Sequence, residues 1–234
     1  MLDIKQELRK YTHSDIDRFK YFHKTGKGDY AEKDRFLGIK VPDIRKVAKQ
    51  VYYNIELYEV QELLNSSYHE ERLCALIILV LKMKKADKSM QQEIVNLYLS
   101  NTDNINGWDL VDLSAPYIIG EYILNNKDKA NILYELSDSQ NMWKQRISIV
   151  ANWTIIRQGE YLYILNIAKK HLDTKHDLIA KAVGWMLREV GKKDYYIEYE
   201  FLKNNYTNMT RTMLRYSIER FDESTRQRFL KGEI

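Results

Sequence analysis

Apolar residues recur three and four positions apart along almost the whole chain, and this helical spacing governs every later inference. It predicts a short amphipathic helix over residues 2–11. A second helix, 15–23, is predicted with Ser14 as its cap and Ile16, Phe19 and Phe22 on its apolar face. Residues 24–34 break the pattern; they are polar, contain Gly26 and Gly28, and read as an exposed loop. Pro42 marks the first turn of a helix reaching Tyr52, where a missing N–H costs nothing. Helices follow over 57–64, 70–85 and 87–99, and 70–85 is apolar nearly all round at its centre, so it should be deeply buried. After the segment around Trp108, Ala115-Pro116 ends one helix or begins its partner. The remaining helices fall over 127–136, 141–157, 161–171, 175–190, 194–204 and 209–221, with a short last one after Asp222.

Four of these helices share a basic residue followed by an apolar run: Arg72-Leu73-Cys74-Ala75, Arg146-Ile147-Ser148-Ile149, Lys181-Ala182-Val183-Gly184 and Arg215-Tyr216-Ser217-Ile218. The basic positions are 74, 35 and 34 residues apart, and the midpoint of the first gap is 109. One helix per 34 to 37 residues therefore presents a polar residue on an equivalent face. That is the pattern of an all-α solenoid of HEAT-like helical pairs with a concave basic groove; a bundle of unrelated helices is the alternative. The expected organisation is a single domain over 1–234, with N-terminal helices and loop at 1–41 and helical repeats over 42–234.

Composition agrees with helices and narrows the chemistry. Two prolines and nine glycines in 234 residues leave little material for strands and turns. A single cysteine, Cys74, excludes a disulfide framework and a thiolate metal site, and its apolar surroundings predict a buried, inert thiol. The N-terminus carries no basic-then-apolar signal, and no apolar run approaches bilayer length, so a cytoplasmic location is expected. The net charge of +4 is too mild to define a partner, but its distribution is informative. Lys144, Arg146, Lys181, Arg188, Lys192, Lys193, Arg211 and Arg215 cluster on or near the repeat-equivalent helices, which suits a phosphate backbone. Trp108 and Trp185 would interrupt that surface with flat rings able to stack on bases or sugars. Trp143 and Trp153 are assigned to packing. The histidines 13, 23, 69, 171 and 176 show no metal-ligand spacing, and Gly26-Lys27-Gly28 lacks the context of a phosphate loop.

The segment Asn104-Ile105-Asn106-Gly107-Trp108-Asp109-Leu110-Val111-Asp112 stands out. As a helix, it places Trp108 and Asp112 one turn apart on one face. Asn104 or Asn106 would cap it, and Asp109 would sit at the positive helix end. A carboxylate inside a basic groove repels phosphate, so Asp112 points to chemistry rather than binding.

Several motifs occur together and in order: Phe36-Leu37-Gly38-Ile39 with Pro42 and Arg45, Trp108-Asp109-Leu110-Val111-Asp112, Trp143-Lys144-Gln145-Arg146, and Lys181-Ala182-Val183-Gly184-Trp185-Met186-Leu187-Arg188-Glu189. With them the chain resembles the AlkD-like DNA alkylation repair proteins, HEAT-like-repeat DNA glycosylases, over nearly its full length. The resemblance implies Asp112 as catalytic carboxylate, Trp108 and Trp185 as cleft aromatics and Arg146 as a phosphate contact. Arg45, Lys144, Lys181, Arg188, Arg211 and Arg215 join it on the DNA-binding face. It further implies excision of N3- and N7-alkylated purines from duplex DNA by a monomer with no cofactor and no metal. The chain departs from the family pattern ahead of Phe36, where the 24–34 loop and Tyr21, Phe22 and Tyr30 stand in place of an aromatic-rich helix. A non-catalytic protein for bent, branched or damaged DNA, and a protein–protein scaffold, are the alternative functions.

Overall fold

A computed structural model describes residues 3–12 and 16–234, without the side chains of 17–19 and 22. The predicted Ser14 cap and the apolar positions Phe19 and Phe22 lie outside the described residues. The chain is all-α, of the helical-solenoid class, and divides into two compact units, up to Ile118 and from Ile119.

The first unit contains α1 (Ile4–Arg9), α2 (Ile16–His23), α3 (Val41–Val51), α4 (Leu57–Leu64), α5 (His69–Met83), α6 (Lys88–Ser100) and α7 (Trp108–Ala115). Helix α5 is its axis and packs against α3, α4 and α7. The run Leu73 to Leu79 is buried on every side, as its apolar sequence requires. Burial raises the pKa of the Cys74 thiol to about 12, which keeps it protonated and inert. Pro42 occupies the first turn of α3, and Asp3 and Asp87 cap α1 and α6 through their side chains.

The Phe36-Leu37-Gly38-Ile39 motif has a backbone explanation. Arg35 pairs with the residues before α5, its N–H donating to Ser67 O at 3.0 Å while His69 N–H donates to Arg35 O at 2.9 Å. Beyond it, the N–H groups of Leu37, Gly38 and Ile39 converge on the buried Glu70 carboxylate at 2.8–3.3 Å. Successive donors can wrap one anion only if the chain turns left-handed, and Gly38 does so at φ +74°.

The second unit contains α8 (Glu121–Asn125), α9 (Asn131–Ser137), α10 (Met142–Arg157), α11 (Leu162–Lys170), α12 (Asp177–Gly191), α13 (Tyr195–Asn205), α14 (Arg211–Ser217) and α15 (Glu223–Lys231). Helix α10 packs on α9 and α12, and α12 packs on α13 and α14. The approach of α12 to α14 is close enough that a Cβ on Gly184 would lie 2.5 Å from Met213 O. The chain does not stop at Pro116: Pro116–Gly120 continues as a wide π-helical turn into α8. Predicted helices over 127–136 and 209–221 are broken by short 3-10 turns at Lys127–Lys129 and Ile218–Arg220.

Candidate active site

In the first unit, Trp108 opens α7 and Asp112 lies one turn further on. Both line a cleft of about 550 Å³. The apolar side chains Leu73 and Ile77 of α5 form part of its wall, and Arg45 of α3, Lys84 and Tyr117 bring charge and a second aromatic ring. Trp108 is 36% exposed, unusually open for so large an apolar side chain, and Asp112 is half-buried. The Lys84 ammonium stands 5.6 Å from the centre of the Tyr117 ring, in cation–π range. The cleft thus holds one indole, one phenol ring, two cations and the Asp109 and Asp112 carboxylates against an apolar wall. Of these residues the sequence singles out Trp108, Asp112 and Arg45, and it gives Lys84 and Tyr117 no such role.

The start of α7 differs from expectation. Gly107, in extended conformation, occupies the cap position, and neither asparagine caps the helix. Asn106 instead joins a buried polar cluster behind Trp108. Its amide donates to Asp34 Oδ1 at 3.1 Å and accepts from Arg72 Nη2 at 3.0 Å. Arg72 also donates to Asp34 Oδ2 at 2.7 Å and to Ser66 O at 2.8 Å. His69, almost fully buried, faces carboxylates on both sides, with Nε2 2.8 Å from Asp109 Oδ2 and Nδ1 3.3 Å from Asp34 Oδ2. Burial pulls the His69 pKa down, but the two carboxylates outweigh it and push the value up to about 9, so the ring is an imidazolium donating both ways. Burial likewise works to raise the Asp109 pKa, and the charge of His69 overrides it and holds the group below the usual carboxylate range.

His23 completes the cluster. Its ring lies nearly parallel to the Trp108 indole, 6.0 Å away at 14°, and 4.5 Å from the His69 ring. Burial lowers the His23 pKa, favouring the neutral ring. Asp34 therefore anchors the inner end of the 24–34 segment, whose remaining residues are mostly exposed. Asp109 sits in the first turn of α7, where it is expected as a helix-end charge, and is also a half-buried partner of His69. No sequence spacing could reveal the cluster, because it draws on four separated segments. The only trace was the repeat count, whose midpoint fell at 109.

In the second unit, Arg146 is buried and donates to Leu178 O at 2.5 Å, and Lys144 is half-buried on the same helix. Lys181 pairs with Asp177 at 2.7 Å. Trp185 is half-buried, its indole N–H donating to Glu189 at 3.1 Å, and Arg188 pairs with Glu219. Arg211 donates to Leu230 O at 2.8 Å yet is largely exposed, as is Arg215 at the end of α14. Trp143 is buried, in keeping with a packing role.

Fold and cleft together define a helical-repeat protein whose indole and carboxylate face solvent from one helix. A family profile for the DNA alkylation repair enzyme matches residues 4–221, and the chain belongs to that family, which places it in DNA repair. The fold is also that of a solved structure described as a predicted DNA alkylation repair enzyme from Enterococcus faecalis. The two superpose with a TM-score of 0.72 at 13% identity, over 91% of this chain and 98% of the other. No curated protein matches at a significant level.

Proposed function

We propose that the protein is a DNA glycosylase releasing cationic N3- and N7-alkylated purines from duplex DNA, with Asp112 as its catalytic residue. The observation carrying this reading is that Asp112 and Trp108 line one cleft with the cations Arg45 and Lys84. An alkylated purine leaves as a neutral base because its ring already bears the charge, so the second carboxylate of an ordinary glycosidase has no task. The barrier is the developing oxocarbenium on the sugar. Asp112 stabilises it and orients the attacking water. At about 4 Å and an effective dielectric near 20, that attraction is about 4 kcal/mol, or roughly a thousandfold in rate. The Trp108 face adds cation–π stabilisation of about 0.5–2 kcal/mol, and Trp185 is assigned the same kind of contact. Arg45, Lys144, Arg146, Lys181, Arg188, Arg211 and Arg215 are assigned to the phosphate backbone, where their charge releases condensed counterions.

The test is single-turnover release of N7-methylguanine from a duplex. The wild type is expected to free the base, and Asp112→Asn to slow release about a thousandfold while still binding DNA. No release by the wild type at enzyme excess would overturn the proposal. If salt-sensitive duplex binding persisted in that case, the protein would be a non-catalytic DNA binder.

A further inference from the structure

Behind Trp108 two buried polar atoms face each other without a partner. Among the described residues, His23 Nδ1 and Asp109 Oδ1 make no hydrogen bond, and they stand 3.8 Å apart, too far to bond directly. His23 is 92% buried by its 8% exposure, so bulk water does not satisfy it. His69 Nε2 lies 2.8 Å from the other oxygen of the same carboxylate, and one donor atom from each residue falls within 4.8 Å of the others.

We infer that His23, His69 and Asp109 form a binding site for a first-row divalent cation, zinc being the ion this donor set suits best. Two imidazoles and a carboxylate are borderline ligands that zinc takes tetrahedrally at about 2.0–2.2 Å, which sets neighbouring donors about 3.3 Å apart. The donors already approach that spacing: one atom from each residue lies within 4.8 Å of the others, and the histidines stand 2.8 and 3.8 Å from the two oxygens of the Asp109 carboxylate. Small side-chain rotations therefore convert the cluster into a coordination shell without moving the backbone. The three ligands come from the end of α2 and the starts of α5 and α7, and α5 packs against α7. His69 already has the outer-shell partner that a metal-bound histidine requires. Asp34 receives its Nδ1–H at 3.3 Å and is itself fixed by Arg72 and Asn106. On binding, the proton on His69 Nε2 leaves to solvent and the freed lone pair takes the metal. Three protein donors leave the fourth tetrahedral position to water.

The experiment reads metal binding alone and does not depend on base release. Tag-free protein, stripped with a chelator, is titrated with Co(II) and followed by visible absorption. One equivalent is expected to produce the d–d bands of tetrahedral cobalt, and Zn(II) to displace it and raise the melting midpoint. Removal of His69 leaves the Asp109 carboxylate without its close cationic partner and destabilises the fold, so the informative variants are His23→Gln and Asp34→Asn. His23→Gln should weaken Co(II) binding at least tenfold with an unchanged circular dichroism spectrum. Asp34→Asn should weaken it about 10–100-fold. Absence of saturable binding of either ion, or an affinity unchanged in His23→Gln, would overturn the inference and assign the gap to water.

Discussion

Glu198 is the residue whose environment conflicts most with its charge. It is buried on α13 against Gly191, and its Oε1 has no hydrogen-bond partner among the described residues. Burial drives its pKa up to about 9, with Arg188 as the only opposing influence. The unfolded chain releases this proton near 4.5 and the folded chain only near 9. Between those values the folded state holds more protons, so stability falls as pH rises through the window. Glu198→Gln removes the ionisation. Its stability should match the wild type at about pH 4 and exceed it progressively above, by up to ~5 kcal/mol at about pH 8, read from urea denaturation across the pH range. A constant difference across the range would mean that Glu198 ionises normally. Nothing in the sequence marks this glutamate among the surface acids of a helix; its burial follows only from the packing of α13 on α12.

At the scale of elements, the contact of α12 with α14 rests on one missing side chain. A Cβ at Gly184 would meet Met213 O at 2.5 Å and Tyr216 Cβ at 2.6 Å, so the helices would have to separate. Gly184→Ala should therefore destabilise the protein by about 1–3 kcal/mol in urea denaturation, although alanine is the better helix former. An unchanged midpoint would show that the pair can slide apart freely. Elements were the most legible feature of the sequence, because their apolar period of 3.6 is local. Helices α3, α4 and α10 begin and end close to where Pro42 and the apolar stripes put them. The site was half legible. Trp108 and Asp112 share a helix face, which spacing reveals. The His23–His69–Asp109–Asp34 cluster depends on partners 35 to 40 positions apart and more, and pairing at that range has no period to read. The capping assignment failed for a related reason: Asn106 has a stronger use, bridging Asp34 and Arg72, than closing a helix end.

For the molecule as a whole, the modest net charge of +4 means that the DNA binding proposed above would rest on where the cations are, not on how many there are. Many are already engaged: Lys181 with Asp177, Arg188 with Glu219, Arg146 with a backbone carbonyl. Arg45 and Arg215 are exposed and belong to different units. If both touch phosphate, Arg45→Ala and Arg215→Ala should each weaken duplex binding irrespective of sequence. Each should also reduce the slope of log affinity against log salt by about 1, measured by fluorescence anisotropy. An unchanged slope for either would remove that residue from the interface.

The anchoring of Asp34 also separates the N-terminal segment into two regimes. At its inner end Asp34 is held by His69, Arg72 and Asn106; outward, Gly28 sits at φ +84° with nothing within 4 Å of where its side chain would be. A tip so isolated from its base tolerates foreign sequence. Gly28 is thus a natural graft point, where a fluorophore tag, a tether or a second domain can be spliced in without rewriting the residues that build the cleft around Trp108.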